Sequence, residues 1–340
     1  MSKHKKLLKG RLLYVEGLNH WAAQGNKILQ SDDAGKNWFL FAEIDNSIIY
    51  SLCSKFRLSA RLLRVHIDYL VPLEDRVIVF GFKKIFVFDM QGRQISVQSV
   101  IGSKPLSICR VNDIIFYGEY RSNPERSNVN IFSSDDCGRT WSSVWEFSGV
   151  RHVHGVYFDP YDDVIWVTTG DSDVESAIWC TTNRFKTLEK IIFGSQKTRA
   201  VQLLFDKQFV YYGSDAPGER NYIYRINKNT HVLERLESVG NSVFFGCKVG
   251  SSLFFSTAVE PSDVNRSCYV EIWCSLNGFD WNMIYSLKKD IYSMKYFQYG
   301  QIFFPGGEGD GEYLWFTPNG TDKDNFICNI SLSRLQDEAL

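Results

Sequence analysis

A short apolar strand followed by a polar turn recurs seven times along the chain, and this recurrence restricts the available folds more than any other feature. The copies begin at Ile28 (ILQSDDAGKNW), Ile85 (IFVFDMQGRQI), Ile131 (IFSSDDCGRTW), Ile178 (IWCTTNRFKTL), Ile223 (IYRINKNTHVL), Ile272 (IWCSLNGFDWN) and Leu314 (LWFTPNGTDKD). Successive starts lie 57, 46, 47, 45, 49 and 42 residues apart, a period near 47 with one long first interval. Periods of about 40 to 50 residues with strand-like content mark propeller blades. Within one repeat, runs starting at His154, Val164, Ala177 and Leu188 are short, rich in β-branched and aromatic residues, and separated by Asp, Pro, Gly and Asn turns. Segments 201–236, 243–287 and 292–332 divide in the same way.

The expected fold is therefore all-β: a seven-bladed β-propeller of four-stranded antiparallel blades, with six blades as the alternative, in a single domain over 1–340. The first unit has little chain ahead of its third strand and is expected to borrow a strand from the other terminus, which removes free sheet edges. The long first interval contains SIIYSLCSKFRLSARLLR, basic and amphipathic, which predicts a helical insertion at 47–64 packed beside the blades.

Composition excludes several classes. With 15% aromatic residues, 25 Gly and 8 Pro in 340 residues, the chain is neither disordered nor fibrous. Lys and Arg (38) balance Asp and Glu (39), so no bulk field attracts nucleic acid or an anionic membrane, and no nucleic-acid partner is expected. The basic start MSKHKKLLKGRLL has apolar stretches only two residues long, against about 7 to 15 for a signal peptide. No run approaches the roughly 18 to 20 apolar residues of a membrane span, so a cytoplasmic protein without a transmembrane segment is expected. The eight cysteines (53, 109, 137, 180, 247, 268, 274 and 328) are dispersed without a CxxC pair and read as small buried hydrophobes.

Two turns are more specific than the others. Ser31-Asp-Asp33-Ala-Gly35-Lys-Asn37-Trp38 and Ser134-Asp-Asp136-Cys-Gly138-Arg-Thr140-Trp141 follow Ser-x-Asp-x-Gly-x-Thr-Trp, with Asn for Thr in the first. This pattern resembles the Asp-box, or BNR repeat, of the sialidase-like β-propellers, and the segments from Thr181 to Leu188 and from Ser275 to Trp281 look like eroded copies. Asp accepts backbone N–H bonds within such a turn, Gly takes the positive-φ position, and Trp packs between strands. Segments such as Gly118-Glu-Tyr-Arg, His152-Val-His-Gly, Trp166-Val-Thr-Thr-Gly-Asp and Ser214-Asp-Ala-Pro are similar to BNR-type proteins of bacterial surface-polysaccharide gene clusters. The resemblance implies a carbohydrate-active protein. The Phe/Tyr-Arg-Ile-Pro segment of sialidases is missing from the first hundred residues, where Arg57, Arg61 and Arg64 fall in the predicted helix.

In a propeller the ends of second strands and the starts of first strands meet at one face. The second strands are expected to end at Tyr117-Gly118-Glu119, Thr169-Gly170-Asp171, Gly213-Ser214-Asp215, Ala258-Val259-Glu260 and Gly307-Glu308, and the first strands to begin near His66, Arg151-His152, Arg199 and Asn241. The candidate catalytic residues are Glu119, His152, His154, Asp171, Asp215 and Glu260. The candidate substrate-binding residues are His66, Tyr120, Arg121, Arg199, Asn221 and Glu308. Paired carboxylates suit glycoside hydrolysis. Alternatively, His152 or His154 suits removal of the proton alpha to a uronate carboxylate, with an arginine or metal stabilising the enolate. His152 and His154 at i and i+2 of a strand share a face. With Asp171 they form a possible divalent-metal set, but no cofactor is the primary expectation. The expected partner is an oligosaccharide or acidic polysaccharide, cleaved or modified by a hydrolase or lyase. A non-catalytic propeller binding a glycan or protein is the alternative, with any protein partner unknown.

Overall fold

The computed structural model describes residues 8–45 and 48–337. Six antiparallel sheets have four strands and one has three, and the fold is a seven-bladed β-propeller. Blade 1 consists of Arg11–Glu16, Asn19–Gln24, Lys27–Ser31 and Phe39–Glu43, and blade 2 of Ile67–Pro72, Arg76–Gly81, Lys84–Asp89 and Gln94–Ser99. Blade 3 follows with Cys109–Val111, Ile114–Gly118, Val129–Ser134 and Ser142–Phe147, and blade 4 with His152–Asp159, Val164–Gly170, Ala177–Thr181 and Glu189–Phe193. Blade 5 contains Ala200–Phe205, Phe209–Ser214, Asn221–Asn227 and Leu233–Val239; blade 6 contains Ser242–Val249, Ser252–Ala258, Tyr269–Ser275 and Asn282–Lys288. Blade 7 has Gln301–Phe303, Tyr313–Asn319 and Cys328–Ser331.

The chain divides into two compact units. Unit 1 is Met1–Val97, Phe245–Pro261 and Ser267–Leu340, and unit 2 is Gln98–Phe244 and Ser262–Arg266. In unit 2, Val129, Ile131, Val153, Val156, Ile165 and Val167 form a fully buried cluster. Val129 and Ile131, like Ile165 and Val167, lie two apart and so share a sheet face. Glycines at the ends of second strands permit close approach to the next first strand. A Cβ on Gly118 would lie 2.3 Å from Val153 Cγ1, and one on Gly213 would lie 2.3 Å from Val243 Cγ2.

Six of the seven repeat copies fall on third strands, and the copy at Leu314 falls on the middle strand of blade 7. The strand expected at Gly307-Glu308 is instead part of the segment joining Gln301–Phe303 to Tyr313–Asn319. Strand borrowing runs opposite to the expectation. Blade 1 holds four strands of its own because its first two are six residues each, joined by two residues. In blade 7, Lys9 instead bridges Phe326, with Ile327 N donating to Leu8 O and Gly10 N to Asn325 O, both at 2.9 Å.

The insertion between blades 1 and 2 forms two helices, α1 (Ile48–Ser54) and α2 (Arg57–Leu63); residue 47 lies outside the described residues. Arg57 and Arg61 bind Asp290 at 2.8 and 2.5 Å, and both also pair with Asp324.

The turns at Ser31 and Ser134 share one hydrogen-bond pattern. Asp33 Oδ1 accepts from the backbone N–H groups of Lys36 and Asn37, and Asp136 Oδ1 accepts from those of Arg139 and Thr140. The serine hydroxyls accept from Gly35 N and Gly138 N at 2.9 Å. Thr181 and Asn183 reproduce the pattern with Phe185 N and Thr187 N. Ser275 and Asn277 do so in a turn one residue shorter.

Candidate metal centre

The start of blade 4 is built around a β-bulge. His152 pairs with Gly170 and Val153 with Thr169, but Gly155 pairs with Thr168, leaving His154 as the extra residue. A bulge redirects a side chain. Here it brings His154 against His152, with their Nε2 atoms 3.1 Å apart. Gly170 provides the space, since a Cβ there would stand 2.9 Å from His154 Cε1.

Asp171, immediately after the second strand, completes a triangle. Its Oδ1 lies 3.3 Å from His152 Nε2 and 3.2 Å from His154 Nε2. Both histidines are at most 4% exposed. His154 Nδ1 faces the carbonyl oxygen of Ala200 at 3.0 Å and His152 Nδ1 that of Arg121 at 3.3 Å. A carbonyl only accepts, so each Nδ1 carries a hydrogen and each Nε2 faces the triangle, where the neutral form of the ring would offer a lone pair to a cation. A backbone acceptor on the far nitrogen is the usual outer support of a metal-bound imidazole. Ligands about 2.0 to 2.2 Å from a metal stand about 2.8 to 3.6 Å from one another across octahedral and tetrahedral coordination. The observed edges of 3.1, 3.2 and 3.3 Å fall in that range. His152, His154 and Asp171 are the group of His, Cys, Asp and Glu side chains among the described residues that converges in this way.

Cations surround the triangle. Arg151 Nη1 binds Asp171 Oδ2 at 2.9 Å, and Arg199 bridges Asp171 Oδ1 and Asp215 Oδ2, each at 3.2 Å. Burial opposes ionisation of Asp171, but its contacts with His152 and His154 and the charge of Arg199 hold its carboxyl far below the usual range. Burial, with the neighbouring His152 and Arg199, lowers the His154 pKa against the opposing effect of Asp171.

The remaining candidates separate into four groups. Glu119 and Arg121 bind each other at 2.7 Å, and Glu119 Oε2 also accepts from Asn130 N. Arg121 uses its other nitrogens on Asn123, Ser127 and Asn128, so this pair organises the loop. The Tyr120 ring lies on His152, with centroids 4.2 Å apart. Asn221 is fully buried and clamps Ala216 through bonds to its N and O, a structural role in place of the expected substrate contact. His66, Glu260 and Glu308 belong to unit 1: His66 binds Asp68 at 3.0 Å, Glu260 follows the strand Ser252–Ala258, and Glu308 is exposed.

Two residues of the centre were not selected from the sequence. Arg151 was read only as the start of a strand, although its side chain is 38% exposed beside Asp171. Glu175 accepts from Arg151 N at 2.7 Å and binds Arg126 at 2.8 Å. Its position in the loop after Asp171 carries no sequence signal.

The sequence matches no family model and no curated protein. Solved structures resemble it in fold. A chain of the mitotic checkpoint complex aligns over 97% of this chain and 94% of its own, with 10% identity and a TM-score of 0.58. YCF48 bound to D1 peptide aligns over the same shares, with 10% identity and a TM-score of 0.59. YCF48 from Cyanidioschyzon merolae covers 98% and 99%, with 9% identity and a TM-score of 0.57. Likeness at this identity concerns the β-propeller fold, which hosts unrelated activities.

Proposed function

We propose that the protein is a carbohydrate-active β-propeller of the Asp-box type that cleaves an acidic oligosaccharide by elimination, using a divalent cation held by His152, His154 and Asp171. The observation that carries this reading is the convergence of two Nε2 atoms and one carboxylate oxygen within 3.3 Å, with each far imidazole nitrogen fixed on a backbone carbonyl. Imidazole and carboxylate together suit first-row cations such as Zn2+ or Mn2+. Such a cation supplies Lewis acidity to a bound carboxylate, which acidifies the adjacent C–H.

Arg151 is the side chain suited to hold a uronate carboxylate, because it is part-exposed and its Nε has no hydrogen-bond partner. In the reaction a base takes the proton at C5, the electron pair forms the C4=C5 double bond, and the C4–O glycosidic bond breaks with protonation of the leaving oxygen. Tyr120, packed on His152, is the proton-transfer residue of this scheme. The two histidines, first considered as bases, act as ligands. Hydrolysis is less well supported: it requires a carboxyl kept neutral as the acid, whereas Asp171 is held ionised and Glu119 is committed to Arg121.

The test is ultraviolet detection of unsaturated product from a panel of uronate polysaccharides, with wild type, Tyr120→Phe and Arg151→Ala. Metal-dependent product formation that falls in both variants supports the reading. Cation and glycan binding without turnover on any polymer selects the non-catalytic alternative.

A further inference from the structure

Unit 1 contains a cavity of about 480 Å3 that the reading above does not use. Its lining includes six basic side chains, Lys9, Arg11, Lys27, Lys55, Arg57 and Arg61, against Asp324 as the acidic member. Asp68 and Asp290 lie behind the wall, the first 3.6 Å from Arg11 and the second bound to Arg57 and Arg61. Positive charge remains in excess: Lys9, Lys27 and Lys55 have no ion pair among the described residues. Arg61 is the most telling member. Its side chain is 5% exposed, Nε donates to Phe297 O and Nη1 to Asp290, yet Nη2 has no hydrogen-bond partner. A buried donor left without a partner costs free energy that an anion in the cavity would recover.

We infer that this cavity binds a phosphorylated small molecule. Several cations lining one cavity call for more than one negative charge, which a phosphoryl group carries in tetrahedral form and a single carboxylate does not. The volume exceeds that of phosphate alone and is typical of cofactor-sized sites. Part of the wall is apolar: Val65, Ile67 and Ala60 line it, and Phe303 stacks under Arg11 at 3.8 Å from its Cζ. The ligand therefore has an anionic head and a ring-sized body. Helix α2 contributes Arg57, Ala60 and Arg61, which gives the insertion between blades 1 and 2 a role in forming the site.

The experiment is titration calorimetry of the full chain with ADP and with pyrophosphate. Saturable binding of both at one site is expected, with ADP tighter because it also covers the apolar wall. Lys27 and Lys55 are not in the core, so Lys27→Ala combined with Lys55→Ala preserves the fold by circular dichroism and should weaken both probes at least tenfold. Phe303→Leu should weaken ADP but not pyrophosphate, and His154→Ala should affect neither. Absence of saturable binding, or binding unchanged in the double lysine variant, overturns the inference; loss of ADP binding in His154→Ala places the ligand at the other centre and overturns it equally.

Discussion

Gly170 and His154 are matched across the first two strands of blade 4: the imidazole Cε1 occupies space that a Cβ at 170 would approach to 2.9 Å. The closest atom belongs to the side chain, so Gly170→Ala should displace the ring while leaving the strand pairing intact. The predicted result is a circular dichroism spectrum like wild type with cation affinity reduced roughly 10- to 100-fold, as for lost outer support of a metal ligand. Unchanged affinity would show that His154 is not a ligand.

Packing between successive blades of unit 2 gives a second prediction. Gly118→Ala drives a Cβ to 2.3 Å from Val153 Cγ1 and should destabilise the protein by about 1 to 3 kcal/mol, the usual cost of overpacking. Val153→Ala should relieve part of that cost when combined with it. Chemical denaturation of the two single variants and the double variant measures the coupling, and strict additivity would contradict the contact.

The turn at Ser31 predicts a pH dependence. The backbone N–H of Asn37, aided by the side chains of Asn37 and Ser31, holds Asp33 down to about 2 from its ordinary 3.8. A depressed carboxylate pKa means that the unfolded chain takes up the proton first. The contribution is complete above about pH 4 and disappears as the pH falls toward 2. Asp33→Ala should therefore lower the melting temperature at pH 6 and show a smaller further drop between pH 4 and pH 2 than wild type.

A buried aliphatic residue tests the core of the same repeat pattern. Ile178 is fully buried on the third strand of blade 4, and Ile178→Ala should cost about 2 to 5 kcal/mol. A loss below 1 kcal/mol by denaturant titration would contradict the register assigned to that strand.

The blades were legible because the repeat places a turn signal at the end of each third strand, and Ile28, Ile85, Ile131, Ile178, Ile223 and Ile272 all lie where the period locates them. The last repeat misled because Gly306-Gly-Glu-Gly-Asp-Gly reads as a strand end followed by a turn, whereas the chain uses it as a long connection before Tyr313–Asn319. Part of the candidate centre was legible for a similar reason. Strand ends at Gly118, Gly170 and Ser214 fix where Glu119, Asp171 and Asp215 emerge, and His152 opens the next first strand. The i, i+2 spacing placed the histidines on one face, but their actual approach depends on a bulge at His154, which no composition rule signals. Asn221 looked like a ligand-facing polar residue, yet its amide is used on Ala216, since a tight loop must satisfy its own backbone groups. Arg61 and the cavity in unit 1 were not visible, because its walls come from residues more than 250 positions apart.

His152, His154 and Asp171 are proposed to hold one divalent cation. The most direct measurement is metal content by plasma mass spectrometry after loading the full chain with Mn2+ or Zn2+ and removing free ion, for wild type and His154→Ala. Close to one equivalent is expected in wild type, with loss of that equivalent in a folded His154→Ala variant. Wild type without stoichiometric metal, or equal content in the two proteins, would contradict it.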